Sequence, residues 1–189
     1  MITKPLQERK DSMPNYCNFD MKVIGLPSAL AEFIHIMKAH YYGDEHDPKH
    51  FYRVFDFTVT SMEENSIYGY GFCAWSIYSC FMPGGYHDPN NTNNGTTLTE
   101  VCKELGITVE IFASETGMCF CEHLIIDHNG DVLCDDSGDY YELDKETTLE
   151  EFNRITDLNW TQEQLDNYFT YEDYYIYSEI DLNNWTIGE

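Results

Sequence analysis

Bases are scarce in this chain. Ten Lys and Arg stand against 34 Asp and Glu in 189 residues, for a formal net charge of −24. Direct binding to nucleic-acid phosphates or to an anionic membrane is excluded as a main activity, because both attract cations. Long apolar runs are missing as well; none approaches the ~18–20 residues that a membrane-spanning helix needs. The opening, MITKPLQERKDS, has no apolar centre, so no secretory signal is read in it. The seven cysteines are odd in number and lack framework spacing. That fits reduced thiols and a cytosolic setting better than disulfides. Enzyme signatures are also absent. There is no Gly-x-Ser-x-Gly, no HExxH and no paired catalytic carboxylate motif. The Gly/Asn/Pro-rich stretch 82–97 lacks the Lys and the spacing of a phosphate-binding loop. Asp127-His128-Asn129-Gly130-Asp131 fails as a calcium loop, because Val132 falls where Gly is needed and Gly138 where a bidentate Glu is needed.

Aromatics, by contrast, are plentiful: 15 Tyr, 11 Phe and 3 Trp. A chain so rich in them can bury a core, which excludes general disorder. The charge is uneven. Residues 1–126 hold 16 acids and 8 bases, whereas residues 127–189 hold 18 acids and only Lys145 and Arg154. The acidic third is interleaved with Phe152, Trp160, Tyr168, Phe169, Tyr175, Tyr177 and Trp185. Acid blocks without aromatics stay solvated, but this mixture can fold and present a sticky anionic surface.

Periodicity gives a coarse order of strand, helix, strand, strand, helix, strand, strand, strand. Residues 18–26 read as a strand, and a helix follows, capped by Ser28, with Leu30, Phe33, Ile34 and Met37 at helical spacing. Residues 51–60 and 67–78 are β-rich, and Gly69 and Gly71 in the second permit close backbone approach. A helix over 97–105 ends at Gly106. Strands follow over 107–113 and 119–127, then an Asn129-Gly130 hairpin, then a turn at Gly138 before 140–143. Short helices are expected over 147–155 and 161–168, the latter opened by a Thr161…Gln164 capping box. This order predicts an α+β fold: a ferredoxin-like split β-α-β antiparallel sheet with two covering helices, plus a small acidic helical C-terminal appendage. The expected divisions are a polar leader (1–12), the α+β domain (13–143) and an acidic, aromatic-rich extension (144–189).

Three segments carry a resemblance. Met13-Pro14-Asn15-Tyr16-Cys17-Asn18, leading to Val23-Ile24-Gly25 and a helix, resembles the opening of the YubB/Api-like ferredoxin-like domain of phages and plasmids. Ala74-Trp75-Ser76 is similar to that family's Thr-x-Trp-Ser segment, although Ile77-Tyr78 stand where its members tend to have Pro-Pro. Glu115-Thr116-Gly117-Met118-Cys119-Phe120 resembles its Glu-x-Gly-Met-x-Phe hairpin. The resemblance spans about 13–143 and implies a mobile-element protein and a fold, with no transferable reaction. An anti-CRISPR protein is one identity compatible with it.

Two constellations invite a functional reading. Cys119-x-Cys121-x-His123 places three metal-ligating types on one strand face, with Cys73, Cys80 or Cys134 available as a fourth. No second short-spaced Cys pair exists, and Cys alternating on a strand are commonly small core residues. No metal or other cofactor is therefore expected. The second is the acidic surface. Asp135, Asp136, Asp139, Glu142 and Asp144 cluster on a hairpin; Glu150 and Glu151 follow; Tyr171, Glu172, Asp173 and Tyr174 stand together. Carboxylates on a rigid surface imitate duplex phosphates, and Tyr rings supply anchoring area. These residues are the expected partner-binding site of a non-catalytic inhibitor. Its partner would be a host nuclease or its nucleic-acid-guided complex, blocked at a basic cleft, with room for a homodimer. A CRISPR effector nuclease is the first guess and a restriction complex the second. The alternatives are a small metal-dependent enzyme using Cys119, Cys121 and His123, and a mobile-element interaction module.

Overall fold

A computed structural model describes residues 15–39, 49–83 and 95–188. The leader 1–12 and most of the Gly/Asn/Pro-rich stretch 82–97 lie outside the described residues. The elements run β1 (Tyr16–Ile24), α1 (Pro27–Lys38), β2 (His50–Phe51), β3 (Val54–Met62), β4 (Ser66–Ala74), α2 (Ile77–Phe81), β5 (Gly95–Thr96), α3 (Leu98–Leu105), β6 (Thr108–Glu115), β7 (Phe120–Ile126), β8 (Val132–Asp144), α4 (Leu149–Thr156), α5 (Gln162–Tyr171) and β9 (Tyr174–Ser178). Among the described residues, no helix is long and apolar enough to cross a membrane.

Seven strands form one antiparallel sheet in the order β3-β4-β1-β6-β7-β8-β9, curled into a half-barrel, and β2 and β5 pair in parallel beside it. This corrects the ferredoxin-like expectation: the molecule is mostly β, and its sheet continues past β6 through three more strands. Two local readings account for the error. Gly138 does not turn the chain; it pairs with Cys121 inside the single long strand β8. Tyr174–Ser178, hidden within the acidic stretch, pairs with β8 from Tyr140↔Ser178 to Asp144↔Tyr174. The C-terminal region thus adds a strand to the sheet as well as two helices.

Alternation decides what the sheet buries. On β1, Cys17, Phe19, Met21 and Val23 face inward, joined by Val109, Ile111, Leu124 and Ile126 from β6 and β7. Helices α1 and α3 close this core with Leu30, Phe33, Ile36, Met37, Leu98, Val101 and Cys102. Each fully buried side chain of the Phe or Leu class contributes ~1.5–3 kcal/mol, so this cluster is the main source of stability. Gly69 and Gly71 permit the close approach expected of them: a Cβ on Gly69 would stand 2.6 Å from the Phe57 ring, and one on Gly71 2.6 Å from the Phe19 ring.

Helix α1 begins at Pro27 rather than with a Ser28 cap; proline suits the first turn because no N–H is needed there. Helices α3 and α5 both carry full capping boxes, Thr97 with Glu100 and Thr161 with Gln164. A second, smaller cluster of Leu143, Phe152 and Leu165, flanked by Tyr141, Trp160 and Tyr175, joins α4 and α5 to β8 and β9. Phe152 lies at its centre, with ring centroids 4.7 Å from Trp160 and 5.2 Å from Tyr175.

Candidate functional site

The sheet face opposite the main core carries the polar chemistry. Strand alternation sends Lys22, Tyr68, Glu110, Phe112, Cys121, His123, Cys134, Asp136, Glu142 and Asp144 to this side. At its centre, Glu110 has no exposed surface. A buried carboxylate needs partners, and this one has several. The Thr186 N–H donates to both of its oxygens (3.1 and 2.9 Å), the Thr186 hydroxyl donates at 3.0 Å and the Ile187 N–H at 3.0 Å. Burial works against ionisation. The bonds from Ile187, His123 and Thr186 outweigh it and hold the carboxyl below its ordinary range. Glu110 thereby fastens the C-terminal segment 179–188 across the sheet. Trp185 of that segment packs on Phe112 at 4.9 Å and Tyr68 at 6.1 Å, and the Lys22 ammonium donates to the Ile187 carbonyl.

His123 shares the same carboxylate. Its Nε2 lies 2.9 Å from Glu110 Oε1, and its ring stacks on Phe112 at 4.2 Å. An ionised Glu110 can only accept, so Nε2 is the donor of this pair. The other ring nitrogen, Nδ1, lies 3.5 Å from Cys134 Sγ, which is 3.3 Å from Asp136 Oδ2. The three ligand atoms of His123, Cys134 and Asp136 all lie within 4.8 Å of one another. Burial, reinforced by Asp136, pushes the Cys134 thiol up to about 11, so at neutral pH it is protonated.

The sequence-predicted cluster is not assembled. Cys119 lies outside β7, at φ 56°, with its thiol donating to the Thr116 carbonyl. Cys121 is buried and bonded to Asp139 and Ser178 instead. Of that set only His123 joins the group above. All seven cysteines are free, and Cys17, Cys73, Cys80, Cys102 and Cys121 are buried. The calcium-like run is a tight turn: the Asp127 carboxylate accepts from the Asn129 and Asp131 N–H groups, and these bonds hold it below the usual range.

The eleven acidic and aromatic residues of the expected partner surface are all exposed, but they divide among four places. Asp136, Glu142 and Asp144 lie on the polar face of β8, whereas Asp135 and Asp139 alternate to the other side. Glu150 and Glu151 occupy the first turn of α4, where negative charge complements the helix dipole. Glu142 and Asp144 are paired with Ile176 and Tyr174 of β9. Tyr171, Glu172 and Asp173 immediately precede that strand, and Tyr171 is 86% exposed. Sequence reasoning passed over Glu110, although a lone acid inside the apolar run Val109–Ala113 is a usable signal for a buried, partnered carboxylate. No family model, curated protein or solved structure matches this chain.

Proposed function

We propose that the protein is a non-catalytic inhibitor that occupies a basic nucleic-acid cleft of a partner nuclease, a CRISPR effector being the first candidate. One observation carries the reading: at the β8–β9 end, exposed carboxylates and exposed tyrosines share one rigid patch. Glu142 and Asp144 are two residues apart on a strand, so their side chains step by ~6.7 Å along one face. Tyr174 lies directly across from Asp144, and Tyr171, Glu172 and Asp173 extend the patch. Sheet pairing holds Glu142, Asp144 and Tyr174 in place before any encounter, which reduces the entropy lost on binding. The carboxylates speed association and the tyrosines slow dissociation.

The test uses purified nucleases with basic channels, RNA-guided and restriction types, assayed for inhibition and for binding. A partner should bind, release as salt rises, and be displaced by its own nucleic acid. Reversing Glu172 and Asp173 to Lys, or changing Tyr171 and Tyr174 to Ala, should weaken binding at least ~10-fold, about 1.4 kcal/mol. Inhibition that survives both changes in every responsive nuclease, or no inhibition in any, would overturn the proposal.

A further inference from the structure

The group at the junction of β6, β7 and β8 points to a metal. We propose that His123 Nδ1, Cys134 Sγ and Asp136 bind one zinc ion, with water in the fourth position.

The distances suit that ion. Tetrahedral zinc, with bonds of ~2.3 Å to sulfur and ~2.05 Å to nitrogen or oxygen, separates the sulfur from each other ligand atom by ~3.5 Å. Cys134 Sγ is 3.5 Å from His123 Nδ1 and 3.3 Å from Asp136 Oδ2. The donor set of one imidazole, one thiolate and one carboxylate is that of a borderline-soft metal. Magnesium and calcium need six or more oxygens, and only Asp136 supplies one here.

The outer partners are in place as well. A metal-binding histidine usually gives its second ring N–H to a carboxylate, which fixes the tautomer. Here Glu110 accepts it at 2.9 Å, and Glu110 is itself held by Thr186 and Ile187. Strand pairing brings the ligands together: His123 is directly across from Asp136, and Cys134 is two residues before Asp136 on the same strand face. On binding, the Cys134 S–H proton passes to solvent as the S–Zn bond forms.

Two of these residues, Cys134 and His123, could be read together with Glu110 as a nucleophile relay. Asp136 argues against that reading, because its charge disfavours a free thiolate at this position.

The experiment uses the full chain stripped of metal. Zinc is titrated against a chromophoric chelator, and cobalt(II) is added separately to read the thiolate-to-metal charge-transfer band. One equivalent of zinc should bind with Kd below ~1 µM, about −8 kcal/mol. Cys134→Ser should abolish the band and weaken zinc at least ~100-fold, and Asp136→Asn should weaken it ~10-fold. Cys119→Ser, on the other semi-exposed cysteine, should leave both unchanged. No stoichiometric binding, or a band that persists in Cys134→Ser and disappears in Cys119→Ser, would overturn the site. Alkylation of metal-free Cys134 far faster than Cys119, without zinc binding, would assign the cluster to the nucleophile reading instead. The wild-type titration and spectrum decide the matter even if a variant fails to fold.

Discussion

Replacing Glu110 with Gln should release the C-terminal segment from the sheet. The carboxylate accepts from two backbone N–H groups, one hydroxyl and one imidazole, using both oxygens. A carboxamide keeps one acceptor and presents an NH₂ to groups that are themselves donors. At least one charge-assisted bond, ~1.5–3 kcal/mol, is lost, and a buried donor is left unsatisfied at a further ~1–3 kcal/mol. The loss is capped by the docking energy of the segment, because the segment can lift and let water solvate the amide. About 3 kcal/mol is the working figure, from the lower half of that range. Amide exchange at Thr186 and Ile187 should then accelerate ~100-fold or more, at 1.36 kcal/mol per decade. The melting temperature of a chain this size should fall by about 6–12 °C. Trp185→Ala acts on the same segment through Phe112 and Tyr68, so the double variant should lose much less than the sum of the singles. Unchanged exchange at Thr186 together with melting within ~1 °C of the parent would refute this account of Glu110.

The same group sets a pH dependence. The carboxyl is lowered in the folded state from an ordinary value of 4.5. Its stabilisation is therefore complete above that value and is lost as pH falls through the lower folded-state pKa. The stability difference between parent and Glu110→Gln should shrink steadily below pH 4.5 in acid-titrated melting curves; a difference that widens there would contradict the sign. Phe152→Ala should cost ~3–5 kcal/mol, more than so small a cluster can absorb. Exchange protection should collapse across α4, α5 and β9 and persist in β1 and β6; uniform loss over the whole chain would show that the two clusters unfold as one.

Local chemistry in the sequence determined the two ends of α3, the capped start of α5 and the Asn129-Gly130 turn. Each depends on neighbours within a few residues, so a linear reading reaches it. The extent of the sheet does not. Whether Gly138 turns or continues depends on Cys121 pairing across from it, and whether Tyr174–Ser178 is a strand depends on the availability of β8 as a partner. The candidate site follows the same division. Exposure of the acidic residues was legible from their charge. The grouping of Glu110, His123, Cys134 and Asp136 was not, because strand register alone brings them together from three strands. Cys119, Cys121 and His123 looked like a set because they alternate in sequence. Backbone at positive φ removed Cys119 from the strand, and burial between β8 and β9 committed Cys121 to Asp139 and Ser178.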